Sequence, residues 1–91
     1  MVEYKIIFSK LADKDKKLLK QAGLEEKTIG LLDMISENPY QIPPTYEKLR
    51  GNLDGLISRR ISLQHRLVYK VYESEKEIYV VRMWSHYDKV K

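Results

Sequence analysis

The chain contains no cysteine in its 91 residues. That excludes disulfides and thiolate metal sites and makes a reducing compartment, the cytoplasm, the natural expectation. No apolar run approaches the ~20 residues that a spanning helix needs, so no membrane association is expected. The opening MVEYKIIFSK is too short and too mixed in charge to read as a secretory signal. Glycine is sparse, and no glycine-rich phosphate loop can be found. Two separated histidines without cysteine make a poor zinc site. The spacings support no Ser-His-Asp arrangement either.

What is present fits one compact domain spanning residues 1–91, with residues 88–91 as a short tail. Charged residues make up 33% and hydrophobic residues 43%, the balance of a globular protein. The net charge of +4 is modest, but its placement is uneven. From Lys48 to Arg66 the chain carries Lys48, Arg50, Arg59, Arg60 and Arg66 against a single acid, Asp54. A basic concentration of this kind suits a polyanion such as nucleic acid.

Val2, Tyr4, Ile6 and Phe8 alternate with their neighbours and predict a first strand. Ser9 stands where a helix N-cap belongs. In the helix that follows, Leu11, Leu18, Leu19 and Ala22 are expected on the inner side, lysine and aspartate on the outer, with Gly23 as the stop. Leu24, Thr28, Leu31, Leu32 and Ile35 predict a second helix ending at Glu37, before Asn38-Pro39. Residues from Pro39 to Tyr46 hold all three prolines and read as a loop. Three strands are then expected, around Ile57–Ser62, His65–Tyr72 and Ile78–Trp84, with a polar turn at Glu73–Lys76. The order β-α-α-β-β-β implies an α+β fold, with the helix pair on one face of a mainly antiparallel sheet. The other face should meet solvent or a ligand. Strand parity directs Arg60, Arg66 and Lys70 to that face, while Arg59, between two isoleucines, is core-facing along its stem.

Glu47, the two histidines, the arginines and Tyr87 remain as candidates for chemistry. They suffice for cleavage of RNA without a metal. In that reaction a base takes the 2′-hydroxyl proton, an acid protonates the departing 5′-oxygen, and a fixed cation compensates charge on the phosphate. Arginine donors match phosphate oxygens. Each residue also has a structural reading. Glu47 could be a surface acid, and His65, among apolar neighbours, a hydrogen-bonded core histidine. Arg59 and Arg60 could form surface ion pairs of little energetic weight.

Taken in order, Glu47-Lys48-Leu49-Arg50-Gly51-Asn52-Leu53-Asp54-Gly55, Ser58-Arg59-Arg60-Ile61, His65-Arg66-Leu67-Val68-Tyr69 and His86-Tyr87 resemble the Txe/YoeB family of toxin–antitoxin toxins. The resemblance implies the fold of the RelE/ParE toxin superfamily and cleavage of messenger RNA in the ribosomal A site. It implies Glu47 as general base, Arg66 as phosphate stabiliser, His86 as general acid and Tyr87 as substrate-orienting residue. Arg59 and Arg60 would contact phosphate or ribosomal RNA, adding to the basic segment's Lys48 and Arg50. No metal or cofactor is expected. The implied partners are the ribosome, its messenger RNA and a YefM-like antitoxin, with two toxin copies in the antitoxin complex. Two departures stand out: Trp84 occupies a place where family members often carry arginine, and Asp88-Lys89-Val90-Lys91 extend past the His-Tyr pair. Two other readings stay open, a ParE-like inhibitor of DNA gyrase on the same fold and a plain RNA-binding module.

Overall fold

A computed structural model describes residues 3–49, 55–62 and 65–84. Its elements run β1 (Lys5–Phe8), α1 (Lys10–Gln21), α2 (Glu25–Glu37), β2 (Tyr46–Lys48), β3 (Leu56–Arg60), β4 (Arg66–Tyr72) and β5 (Glu77–Arg82). The strands form one sheet in the order β1-β5-β4-β3-β2. All neighbours are antiparallel except β1 and β5, which are parallel. The expected two helices packed on a mainly antiparallel sheet are therefore present. The sheet has one strand more than the periodicity suggested. β2 is only three residues long, wedged behind the proline loop, and too short to show a period of two.

Local signals account for the helix boundaries. The Ser9 Oγ accepts from the Ala12 amide at 3.0 Å, as an N-cap should. It also donates to the Val81 carbonyl at 2.7 Å, pinning the start of α1 to β5. At the other end Gly23 takes φ +75°, a left-handed conformation that costs glycine nothing. The amides of Gly23 and Leu24 then reach back to the Lys20 and Leu19 carbonyls at 3.2 and 2.9 Å, closing a Schellman turn. Asn38 is extended because Pro39 follows it.

The core joins Ala12 and Leu19 of α1 and Ile35 of α2 to Ile57, Leu67, Tyr69, Ile78 and Val80 of the sheet. The inner face of α1 differs from the expectation. Ala12, Asp15 and Leu19 are buried, whereas Leu11 is 50% and Leu18 37% exposed. The reason is an ion pair. Asp15 accepts from the Arg82 Nε and from the Met83 amide, both at 2.9 Å. A carboxylate with two such donors can be buried, and it turns the helix so that neighbouring leucines face outward.

Register confirms the parity of the basic residues: Arg60 lies opposite Arg66, and Leu56 opposite Lys70. Glu47 lies opposite Ser58, so it shares their side of the sheet. That side is less open than expected at its centre. Ser58 and Val68 are buried, and Arg66 lies across β3 to reach the Ser58 hydroxyl instead of extending into water.

A polar cluster joins the proline loop to the β4–β5 turn. The Tyr4 hydroxyl donates to Glu73 at 2.6 Å, and Lys76 pairs with the same carboxylate at 3.5 Å. The Tyr40 hydroxyl is pushed up to about 12, first by desolvation and then by its hydrogen bond to Glu73.

Two outcomes follow. Removing the carboxylate in Asp15→Ala should cost about 2–3 kcal/mol in urea unfolding, at or below the usual range for a broken buried pair because Arg82 retains some access to water. The Tyr40 phenol stays protonated in the folded state above its ordinary value of 10.0. Its contribution to stability is therefore present below pH 10 and lost as pH rises towards 12. Tyr40→Phe should flatten the alkaline limb of a plot of melting temperature against pH.

Candidate functional site

Glu47 sits on β2, an edge strand, with its carboxylate largely in water. Arg66 begins β4, two strands further in, with β3 between them. The guanidinium crosses β3 diagonally, placing Nη1 3.2 Å from the Ser58 Oγ and 3.0 Å from the Glu47 Oε1. The arginine side chain is only 13% exposed and the glutamate 54%. The pair thus joins a held cation to a solvated anion. Such a half-exposed pair contributes little stability, about 0–1 kcal/mol. A dianionic or monoanionic phosphate could therefore take the carboxylate's place at small cost.

These two residues open onto a cleft of about 630 Å³ lined by Pro44–Glu47, Ser58, Arg60 and Arg66, with Lys27, Gly30 and Leu31 of α2. Because β2 is an edge, the cleft reaches residues of both parities, Tyr46 and Glu47 alike. Its charge is cationic: Lys27, Arg60 and Arg66 against Glu47. Arg60 is exposed, as its proposed contact with phosphate would require. Lys48 points away from Glu47 and lines a separate hollow with Tyr40, Leu49 and Val71, so it is not brought into the cleft. Arg50, His86 and Tyr87 lie outside the described residues, as does the tail.

Arg59 overturns its sequence-based assignment. It was expected to contact RNA, yet it is fully buried, guanidinium included. Its Nε donates to the Tyr69 hydroxyl at 2.9 Å. Nη1 donates to the Pro44 carbonyl at 2.6 Å, and Nη2 to those of Pro39 and Gln41 at 3.0 and 2.9 Å. The Tyr46 ring stands 4.8 Å from the guanidinium carbon, close enough for a cation–π contact. Tyr69 donates to Pro39 as well, at 2.7 Å. Burial pushes the Tyr69 hydroxyl above its usual range, against the opposing pull of Arg59, so it remains a donor at neutral pH. A backbone carbonyl is a good acceptor for a cation that cannot reach water. The arginine therefore holds the loop that delivers Glu47 and touches no ligand itself.

His65 is hydrogen-bonded as its structural reading expects, its Nδ1 meeting the Trp84 carbonyl, but it is half-buried and stands outside the core cluster. The two rings stack at 3.9 Å and 19°. One face of Trp84 is thereby occupied by a protein side chain at the position where arginine was expected from the family pattern.

Sequence reasoning missed the α2 wall of the cleft. One signal was present. Gly30 lies in the middle of α2, where glycine costs about 1 kcal/mol relative to alanine. Neither a tight turn nor close packing demands it: nothing stands within 4 Å of where a Cβ would be.

Arg59→Met should cost about 3 kcal/mol or more, because the Pro44 and Gln41 carbonyls and the Tyr69 phenol lose their donor together, and Pro39 keeps only the one from Tyr69. Arg60→Met, at an exposed position, should stay within about 0.5 kcal/mol of the parent. Urea unfolding of the two variants side by side checks the distinction between a structural and a surface arginine.

Comparison with known proteins agrees with this architecture. Residues 8–87 match the family described as the YoeB-like toxin of bacterial type II toxin–antitoxin systems. The chain is 35% identical over 75 residues to a Synechocystis protein named Toxin YoeB, covering 82% of this chain and 78% of that one. A YoeB/ParE toxin structure from Agrobacterium tumefaciens superposes with a TM-score of 0.83 at 28% identity, covering 91% of this chain and 99% of its own. The Staphylococcus aureus toxin, solved in a YoeB–YefM complex, gives 0.78 at 36% identity, covering 92% and 98%. A YoeB dimer from Staphylococcus aureus gives 0.79 at 35%, covering 93% and 99%. With its α+β sheet of the RelE/ParE type and a family match over most of its length, the chain belongs to the YoeB-like toxins of type II toxin–antitoxin systems.

Proposed function

We propose that this toxin is an endoribonuclease that cleaves messenger RNA in the ribosomal A site and so stops translation. The observation that supports this most directly is the Glu47–Arg66 pair at 3.0 Å, which puts a carboxylate and a guanidinium at the mouth of one cationic cleft. When RNA enters, a phosphate replaces the carboxylate as the acceptor for Arg66. Glu47, already solvated and now unpaired from that arginine, takes the proton of the adjacent 2′-hydroxyl. The O2′–P bond forms as the P–O5′ bond breaks, and His86 gives a proton to the departing O5′. The products are a 2′,3′-cyclic phosphate and a 5′-hydroxyl. Arg66 compensates the charge that grows on the phosphoryl oxygens, an effect commonly worth 10²–10³ in rate. Tyr87 orients the substrate beside His86. Arg60 adds a phosphate contact in the cleft, Arg50 another, and Lys48, outside the cleft, can meet only a more distant part of the RNA. Both proton transfers and the charge compensation come from side chains, so this route calls on no metal or cofactor.

By analogy with the Staphylococcus aureus complex and dimer, the physiological inhibitor is a YefM-like antitoxin, and two toxin copies associate.

Low-level expression followed by primer extension on cellular messages should map cleavages, and a programmed translation reaction should reproduce them. Glu47→Gln, Arg66→Ala and His86→Gln should each lower the cleavage rate by ~10² or more. DNA damage without message cleavage, insensitive to these changes, would establish the gyrase-inhibitor reading instead. RNA binding without cleavage would leave a binding module.

A further inference from the structure

We infer that the α2 wall of the cleft is a subsite for a nucleotide flanking the scissile phosphate, with Gly30 as its floor. This rests on the ribonuclease reading and deepens it. Lys27, Gly30 and Leu31 stand at i, i+3 and i+4, so they form one contiguous patch on the helix. All three face the same space as Glu47, Arg60 and Arg66. The space is larger than one phosphate requires and lies in the range of sites that enclose an organic ligand.

The glycine carries the argument. A mid-helix glycine weakens the helix, and the fold offers no compensation here, since beyond its chain neighbours and the backbone of its own helix an added Cβ would meet nothing within 4 Å. What glycine does provide is a bare strip of backbone between a half-buried leucine and a lysine. A flat ring can lie directly on such a strip. A nucleobase or ribose placed there has its apolar edge against Leu31, and the next phosphate comes within reach of the flexible Lys27 ammonium. Among the described residues Lys27 forms no ion pair, so its charge is not already committed to an acid. The cationic balance of the cleft favours a polyanionic strand over an acidic peptide, because the strand also supplies planar groups for the exposed helix backbone. This assigns Gly30 and Leu31 a role in substrate placement and specificity, and Lys27 a role in phosphate contact, with no part in proton transfer.

The test uses the full chain and a 2′-deoxy trinucleotide, which cannot be cleaved by 2′-hydroxyl attack. In a ¹⁵N-resolved NMR titration the Gly30 amide, in the isolated glycine region, should shift saturably together with that of Leu31. Gly30→Leu should fold with an unchanged or higher melting temperature, since it replaces a poor helix former. It should weaken trinucleotide binding by about tenfold, the effect of losing roughly 1.4 kcal/mol of contact. In the translation reaction it should raise KM with kcat nearly unchanged, the pattern of a binding contact. Gly30→Ala should be intermediate, and Lys27→Ala should lower the salt dependence of binding.

Binding without any cleavage by the parent protein would retain the subsite and remove the ribonuclease reading. Cleavage with a silent Gly30 amide and a wild-type KM in Gly30→Leu would remove the subsite alone. Loss of antitoxin binding in Gly30→Leu with nucleotide binding intact would overturn the proposal in favour of a peptide groove. Absence of both binding and cleavage would overturn both.

Discussion

The burial of the Arg59 guanidinium constrains the functional half of the molecule more than any other interaction. A cation removed from water must be surrounded by acceptors, and no carboxylate among the described residues pairs with it. Three carbonyls of the proline loop and the Tyr69 phenol take that place. The loop must therefore fold back over β3 and β4 and follow one path. That path ends at Tyr46, whose ring covers the same guanidinium, and leads directly into β2. Glu47 is thus positioned by a residue twelve places later in the chain. Proline suits this arrangement because its nitrogen asks for no donor's partner, while its carbonyl remains free to accept.

The two described arginine–carboxylate pairs show how environment separates structural from functional charge. Asp15 is buried and takes bonds from both Arg82 and the Met83 amide, so the pair docks α1 on β5. Glu47 is half in water and has one arginine. The first contact is costly to break, and the second is readily exchanged for another anion. An exchangeable pair at a cleft suits the proposed entry of a phosphate. The same physics therefore gives α1 its rotation and the cleft its readiness to bind.

One fold can host unrelated activities, so architecture alone does not assign chemistry. What bears on chemistry is the grouping around the cleft: a carboxylate on an edge strand, a guanidinium held by Ser58, a further arginine that is exposed, and a helix wall with a gap where a side chain would ordinarily be. The sheet edge makes this grouping possible. A three-residue strand bounded by loops can present neighbours of opposite parity to one space, which a central strand cannot do.

Much of the fold was legible in the sequence because its signals are local. Ser9 and Gly23 bound α1, Asn38-Pro39 ends α2, and alternation placed Arg60, Arg66 and Lys70 on one side of the sheet. The motifs around Glu47 and Arg66 likewise carry the family resemblance in the sequence itself. Alternation also turned Arg59 inward, but tertiary structure alone decided that its guanidinium is buried with its stem, because only the folded loop supplies the carbonyls that accept from it. It decided that Asp15 faces inward and Leu11 outward, because an ion pair sixty-seven residues apart outweighs a hydropathy stripe. It also decided that Gly30 faces the cleft. Alternation and capping depend on neighbours along the chain, whereas solvation of a buried charge depends on whichever segments the fold brings beside it.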